Sequence, residues 1–313
     1  MTNTFNFKLP RLLLLLTTTT AALLFIFNFS KTDAAPQSGK PAPKKSAASV
    51  PPPTPVLLKR TTTRTETRRL GYGGSVTVYG APEGSITVEA WTRSEVEITA
   101  EIELNATTEE ELTRLAPVNN FVVDEDYNHV RVVTTGTHDR KYLKRSARDL
   151  PKSLLTLPWK IDYRIKVPAA VDLEMYAGRG PVALSGFEGA VRLYAPTSAG
   201  ADISLAGGDV EATLGTGPVN VHVPTRSWRG RGMNLRVGGG ELNVELAPNY
   251  SGDIDAQILR AGRVENTYTG LAPRERTTPT ERSLQARSGH GGATLSFTLG
   301  DGTLRIRQEG SKQ

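Results

Sequence analysis

Four histidines, His129, His138, His222 and His290, are the side chains of this chain best suited to metal binding or proton transfer. No two have the close spacing that would put them on one helical face as ligands. Cysteine is absent. That excludes a disulfide, a zinc–thiolate site, a thiol nucleophile and a lipid-modified N-terminal cysteine. Residues 70–313 hold no Gly-x-Ser-x-Gly elbow. Gly289-His290-Gly291-Gly292 has the form of a lipase oxyanion loop, but no nucleophile motif accompanies it. Asp202, Asp209, Asp253 and Asp255 offer oxygen ligands to calcium, yet Gly207-Gly208-Asp209 and Gly252-Asp253 do not recur at a nonapeptide spacing. Asp172, Glu174, Asp253 and Asp255 are the carboxylates a sugar-cleaving strand face would use. They alternate with apolar residues as on any exposed strand, and a catalytic pair is defined by a separation in space. The reading is of no catalytic residue, no metal and no cofactor.

Binding chemistry has better candidates. Arg226-Ser227-Trp228-Arg229-Gly230-Arg231 falls between two strand-like pieces, on an expected loop. Arginine and tryptophan are the residues most enriched at binding hot spots, which makes Arg226, Trp228, Arg229 and Arg231 the candidate contact residues. The competing role is a wide turn in which Trp228 covers the end of the core. A second basic stretch, Thr137–Lys160, includes Tyr142 and Trp159, with a helix expected over Lys141–Asp149 and ended by Pro151. Both stretches fit an acidic partner: an anionic glycan, another envelope polymer or a membrane surface. A solvated excursion is the plainer reading of the second. A protein partner stays open, and the sequence does not identify one.

Nucleic acid is not the expected partner, although the net charge is +6. Residues 1–70 carry eleven Lys/Arg and two Asp/Glu, and the remainder carries 27 basic and 30 acidic residues. A folded nucleic-acid-binding domain shows the reverse distribution.

The elements that would position these residues are strands. From Val171 to Tyr268 nearly every short piece alternates apolar and polar residues, as in VDLEMYAG, GAVRLYA, ADISLAGG and GPVNVHV. A period of two marks half-buried strands, and glycines eight to twelve residues apart mark the turns between them. Val182, Val191, Ile203, Val210, Val219, Leu235, Val244 and Ile254 are the expected inward residues. Upstream, Leu57–Arg69 reads as an edge strand. Ser75–Tyr79, Ser85–Trp91 and Glu95–Leu104 read as strands, and a hairpin spans Phe121–Val133. Thr108 and Glu111 form a capping box ahead of a short helix that ends at Pro117. Leu271–Ser288 is polar and reads as a long loop. Ala293–Leu299 and Thr303–Arg307 are expected to close the C-terminal end of the ladder.

The N-terminus is an address. Lys8 and Arg11 precede the apolar run Leu12–Phe29, and Ala34 and Ala35 follow it, so 1–33 reads as a signal peptide or membrane anchor. Residues 34–56 are rich in Pro, Ala and Lys and read as a disordered tether. Residues 57–310 are the folded domain. The expected location is the periplasm or cell surface.

The glycine-opened strands, as in GPVALSGFEGAVRLYA and GGDVEATLGTGPVNVHV, resemble the bacterial "putative adhesin" family of β-strand repeats. GSVTVYGAPEGSITVEAW is similar to the usual opening of that family and GGATLSFTLGDGTLRIRQ to its usual close, so the likeness covers roughly Gly71 to Arg307. The resemblance implies an all-β, elongated β-solenoid, exported or membrane-tethered, with no catalytic residues to carry over. An antiparallel β-sandwich is the alternative fold. The expected function is a non-enzymatic interaction or scaffold module of the cell envelope. A carbohydrate-active β-helix enzyme and an accessory or sensor protein of an envelope-stress system are the alternatives.

Overall fold

The computed structural model describes residues 57–310. The expected signal or anchor segment, 1–33, and the tether, 34–56, lie outside the described residues. No helix among the described residues is long and apolar enough to cross a membrane.

The domain is all-β, with two short α-helices and one 3-10 turn among the described residues. The first strands are β1 (Leu58–Arg69), β2 (Ser75–Tyr79), β3 (Ile86–Trp91) and β4 (Glu95–Ala106). Helix α1 (Glu109–Leu115) leads to β5 (Asn120–Asp126) and β6 (His129–Thr135). Helix α2 (Arg140–Ser146) and the 3-10 turn Lys152–Thr156 precede β7 (Trp159–Pro168). Then follow β8 (Asp172–Tyr176), β9 (Pro181–Ser185), β10 (Ala190–Ala195), β11 (Gly200–Ser204), β12 (Gly207–Thr216) and β13 (Val219–Val223). The long β14 (Arg229–Leu246) comes next, with β15 (Gly252–Ile258), β16 (Gly262–Asn266) and β17 (Leu271–Pro273). β18 (Ser283–Ser288), β19 (Thr294–Leu299) and β20 (Gly302–Gln308) complete the domain.

The period of two sets the facing. All eight expected inward residues, Val182 to Ile254, are buried, while the intervening Asp202, Asn220 and Arg192 are exposed. Each buried aliphatic side chain of this kind contributes about 1.5–3 kcal/mol.

Successive strands fall on two parallel ladders. The first runs β6, β2, β8, β10, β12, the start of β14, β19 and β15. The second runs β7, β3, β9, β11, β13, the end of β14, β20 and β16. Each rung is thus one strand on each ladder. β14 supplies both and crosses between them near Gly239. Pairing through both ladders is parallel, unlike an antiparallel sandwich.

Rung order is not chain order, and this corrects the expected C-terminus. β19 and β20 do not close the end; they insert between β14 and the β15/β16 rung. Likewise β2 and β3 lie between the β6/β7 and β8/β9 rungs. Closure falls to β18, antiparallel to β15, and to β17, antiparallel to β18. The expected loop Leu271–Ser288 therefore contains two strands. In β18, Leu284, Ala286 and Ser288 are buried, an alternation too short to stand out in a polar segment. Arg287 on its outer side binds Asp253 of β15 bidentately, at 2.7 and 2.9 Å.

The other end is closed with charge. β4 runs antiparallel to β7, and β1 antiparallel to β4, as its edge partner. Arg64 of β1 donates to Asn120 Oδ1 and to the Phe121 carbonyl, with its guanidinium 4.4 Å from the Phe121 ring centroid. Charged side chains turned toward the terminus of a sheet disfavour further strand addition. α1 starts as expected, with the Glu111 amide donating to Thr108 Oγ1, but the reciprocal arm is shifted by one residue. The Glu111 carboxylate accepts from the amide and hydroxyl of Thr107. α2 covers Arg140–Ser146 rather than Lys141–Asp149, capped by Asp139, which accepts from the amides of Lys141 and Tyr142.

The glycines have a local cause. Gly240, Gly302 and Gly262 occupy one register position on adjacent strands, with φ of 111°, 126° and 136°. A Cβ on Gly302 would collide with the carbonyl of Gly240. Only glycine allows that approach and that backbone conformation.

Candidate functional site

The in-register pairing lines outward residues into rows that run across the strands. On the first ladder, Tyr79 of β2 lies beside Tyr176 of β8, and Tyr176 beside Tyr194 of β10. The Tyr79 and Tyr176 rings stack with centroids 5.0 Å apart and planes within 4°. Tyr194 meets Tyr176 edge-on at 6.3 Å. These residues are 40%, 37% and 54% exposed, so part of each ring is open to solvent. The row ends at Thr213 of β12.

A charged row runs beside it. Arg192 lies between Glu174 and Glu211 in register. The Tyr176 hydroxyl donates to Glu174 Oε1 at 2.7 Å and ties the two rows together. That bond holds the Tyr176 phenol above its ordinary value, because the neutral form is the donor the carboxylate needs. Between the rows lies a shallow cleft of about 210 Å³, lined by Glu174, Tyr176, Arg192, Tyr194, Glu211 and Thr213. Partly exposed rings in a row, flanked by carboxylates and a guanidinium, suit an extended ligand that has both apolar surface and hydroxyls.

Sequence reasoning missed this row, although a signal was present. Tyr79, Tyr176 and Tyr194 each lie four residues after the first residue of a strand piece, Ser75, Asp172 and Ala190. What the sequence lacked was the adjacency of β2 and β8.

The residues singled out beforehand are dispersed. Trp228 is 6% exposed and donates its Nε1 hydrogen to the Gly208 carbonyl at 3.0 Å, so it belongs to the core. Arg229 and Arg231 are in β14 rather than on a loop; Arg229 pairs with Glu188 at 2.6 Å and Arg231 with Asp209 at 3.4 Å. Arg226 is exposed, and its carbonyl accepts from the Ser251 amide. Of the aspartates, Asp202 lies on the second ladder and accepts from Asn220, whereas Asp209, Asp253 and Asp255 lie on the first and face Arg231, Arg287 and Arg274. They do not converge. Asp172 accepts from the Ala190 amide. The histidines are equally scattered: His129 against Thr77, His222 against Ser204, His138 beside the Trp159 ring and His290 at the Ser251 hydroxyl.

No family model matches the chain, and no curated protein matches it. Several solved structures are similar to it. One is described as a putative cell adhesion protein from Clostridium sporogenes ATCC 15579. It shares 12% identity with a TM-score of 0.40, over 79% of this chain and 100% of its own. A putative adhesin from Bacteroides fragilis NCTC 9343 shares 10% identity with a TM-score of 0.32, over 79% and 97%. A putative lipid binding protein from Parabacteroides distasonis ATCC 8503 shares 11% identity with a TM-score of 0.24, over 78% and 96%. The functional reading rests on the residues themselves.

Proposed function

We propose that this chain is an exported, non-enzymatic interaction module of the cell envelope, held on the 34–56 tether, that binds an extended glycan along Tyr79, Tyr176 and Tyr194. The carrying observation is the row of three exposed tyrosines on adjacent strands, two of them stacked. Sugar rings have apolar faces that pack on aromatic rings and hydroxyls that bond to carboxylates and guanidinium groups, which Glu174, Arg192 and Glu211 supply. Long in-register parallel ladders support the β-solenoid reading of the fold, in which rows of equivalent side chains form an extended binding surface. The basic cluster Arg226, Arg229 and Arg231 is the weaker candidate, since two of its three cations already face carboxylates.

The test is affinity electrophoresis and a glycan array with the purified chain. The double variant Tyr176→Ala/Tyr194→Ala is expected to lose retention by at least about tenfold, since buried aromatic anchors dominate such contacts. Undiminished retention would remove the reading. A carbohydrate-active enzyme is the competing class, because Glu174 and Glu211 share one row two strand spacings, roughly 9.5 Å, apart. Chain shortening of a bound glycan that is lost in Glu174→Gln would favour it.

A further inference from the structure

The connection between β6 and β7 is an excursion of different character from every rung turn. It leaves the rung that pairs with β2, next to Tyr79. α2 and the 3-10 turn enclose a groove of about 620 Å³. Leu143, Ala147, Leu150 and Leu155 form its apolar walls; Arg140, Lys144, Arg148 and Lys152 form its rim.

Three observations point to what this groove takes. First, none of the four rim cations forms an ion pair with a carboxylate among the described residues, and no carboxylate lines the groove. Exposed arginines elsewhere among the described residues are of both kinds, paired as in Arg179 with Glu83 and Arg260 with Asp301 or without an ion pair as in Arg164 and Arg236; here four such cations share one groove. Second, Leu143 and Leu155 are only half-buried and do not pack on the core, so apolar surface is left beside the cations. Third, the excursion is anchored. Leu154 is buried, Leu150 and Leu157 pack on the core, and the Trp159 Nε1 hydrogen is donated to Thr137 Oγ1 at 2.8 Å. The groove is therefore a formed feature rather than a collapsed loop.

We infer that this groove binds the anionic headgroup and first methylenes of a membrane lipid, docking the domain on an acidic bilayer surface. A phosphate with an attached alkyl chain matches cations around an aliphatic floor, whereas inorganic phosphate or a nucleic acid leaves the leucines without a partner. Basic residues beside exposed aliphatic ones mark surfaces that lie in the headgroup region of a membrane. This site is independent of the tyrosine row, and glycan binding can fail while it holds.

The experiment titrates the full chain with dihexanoyl phosphatidylglycerol below its micelle concentration. Parallel arms use dihexanoyl phosphatidylcholine, inorganic phosphate and an acidic amphipathic peptide. Vesicles with and without phosphatidylglycerol form a second readout, and the N-terminal apolar run is common to every variant compared. Lys144→Glu/Arg148→Glu and, separately, Leu143→Asn/Leu155→Asn are tested, with unchanged thermal unfolding as the fold control. The expected result is saturable binding of the phosphatidylglycerol, weakened at least about tenfold in each double variant and reduced by salt. Four results would overturn the inference. They are equal binding of phosphatidylcholine, equal binding of inorganic phosphate, binding of the peptide without the lipid, and full binding by the Lys144/Arg148 variant.

Discussion

On the rungs β8/β9, β10/β11 and β12/β13, the outer face of the first ladder carries Glu174, Tyr176, Arg192, Tyr194 and Glu211. On the same rungs the outer face of the second carries Ala183, Ser185, Asp202, Ser204, Asn220 and His222. Backbone pairing is parallel on both. On the second ladder the polar groups satisfy one another: Asn220 Nδ2 donates to Asp202 Oδ1 at 2.7 Å, Asn243 Nδ2 to Asn220 Oδ1 at 3.1 Å, and Ser204 Oγ lies 3.3 Å from His222 Nδ1. On the first ladder the Tyr176 hydroxyl is engaged, but the rings remain open to solvent. A row whose hydrogen bonds close on themselves leaves little for a partner, whereas the part of the tyrosine row that the rings do not cover for one another is apolar surface a partner can bury. The difference teaches that, along these ladders, the backbone supplies the spacing and the choice of outward side chain supplies the surface chemistry.

The hardest way to break this comparison is to reverse facing. Val219 is inward and Asn220 outward on the same strand. Val219→Asp puts an unpaired carboxylate in the core, an uncompensated charge that costs on the order of 3–5 kcal/mol. Asn220→Asp loses the bond to Asp202 and opposes two carboxylates, for about 1 kcal/mol or less at an exposed position. Urea denaturation compares the two, and equal costs would mean that alternation does not set the facing.

A smaller effect separates the two outer faces. Tyr176→Ala/Tyr194→Ala should reduce glycan affinity by about 1.4 kcal/mol or more, a factor of ten. Asp202→Ala/Asn243→Ala on the opposite face should leave it unchanged while lowering stability by about 1 kcal/mol. Calorimetric titration with a retained glycan reads both, and a loss of binding from the second pair would erase the distinction between the faces.

The smallest effect sharpens the link between the tyrosine and charged rows. Tyr176 is held above the ordinary phenol value of 10 chiefly by its bond to Glu174. Any stabilisation from that bond is complete below about 10 and is lost as pH rises through the raised folded value. In a spectrophotometric titration Glu174→Gln should bring the Tyr176 transition down, and Asn243→Ala should not move it.

Much of the fold was legible because facing is a local property. A strand residue points in or out according to its parity, so Val182 through Ile254 were assigned correctly without knowing any partner strand. The hairpin over β5 and β6 was equally local: seven paired positions close around Tyr127, whose φ is 54°. β18 was missed because six residues with one leucine give too few alternations to stand out from a polar loop. Trp228 has two roles open to it from its neighbours, a contact residue or a cover for the core, and the second is the one observed, its indole reaching the Gly208 carbonyl twenty residues earlier in the chain.

The sequence by itself determined the alternation, the glycine positions, most of the strands and the basic excursion, because each follows from steric or solvation preferences within a few residues. Only the tertiary structure decided which rung lies against which. Rungs of one period present nearly equivalent edges to one another, so a periodic pattern carries no information about their order. That order put β2 against β8, and with it Tyr79 against Tyr176, 97 positions later in the chain. The candidate site exists because backbone pairing, a non-local interaction, selected that neighbour.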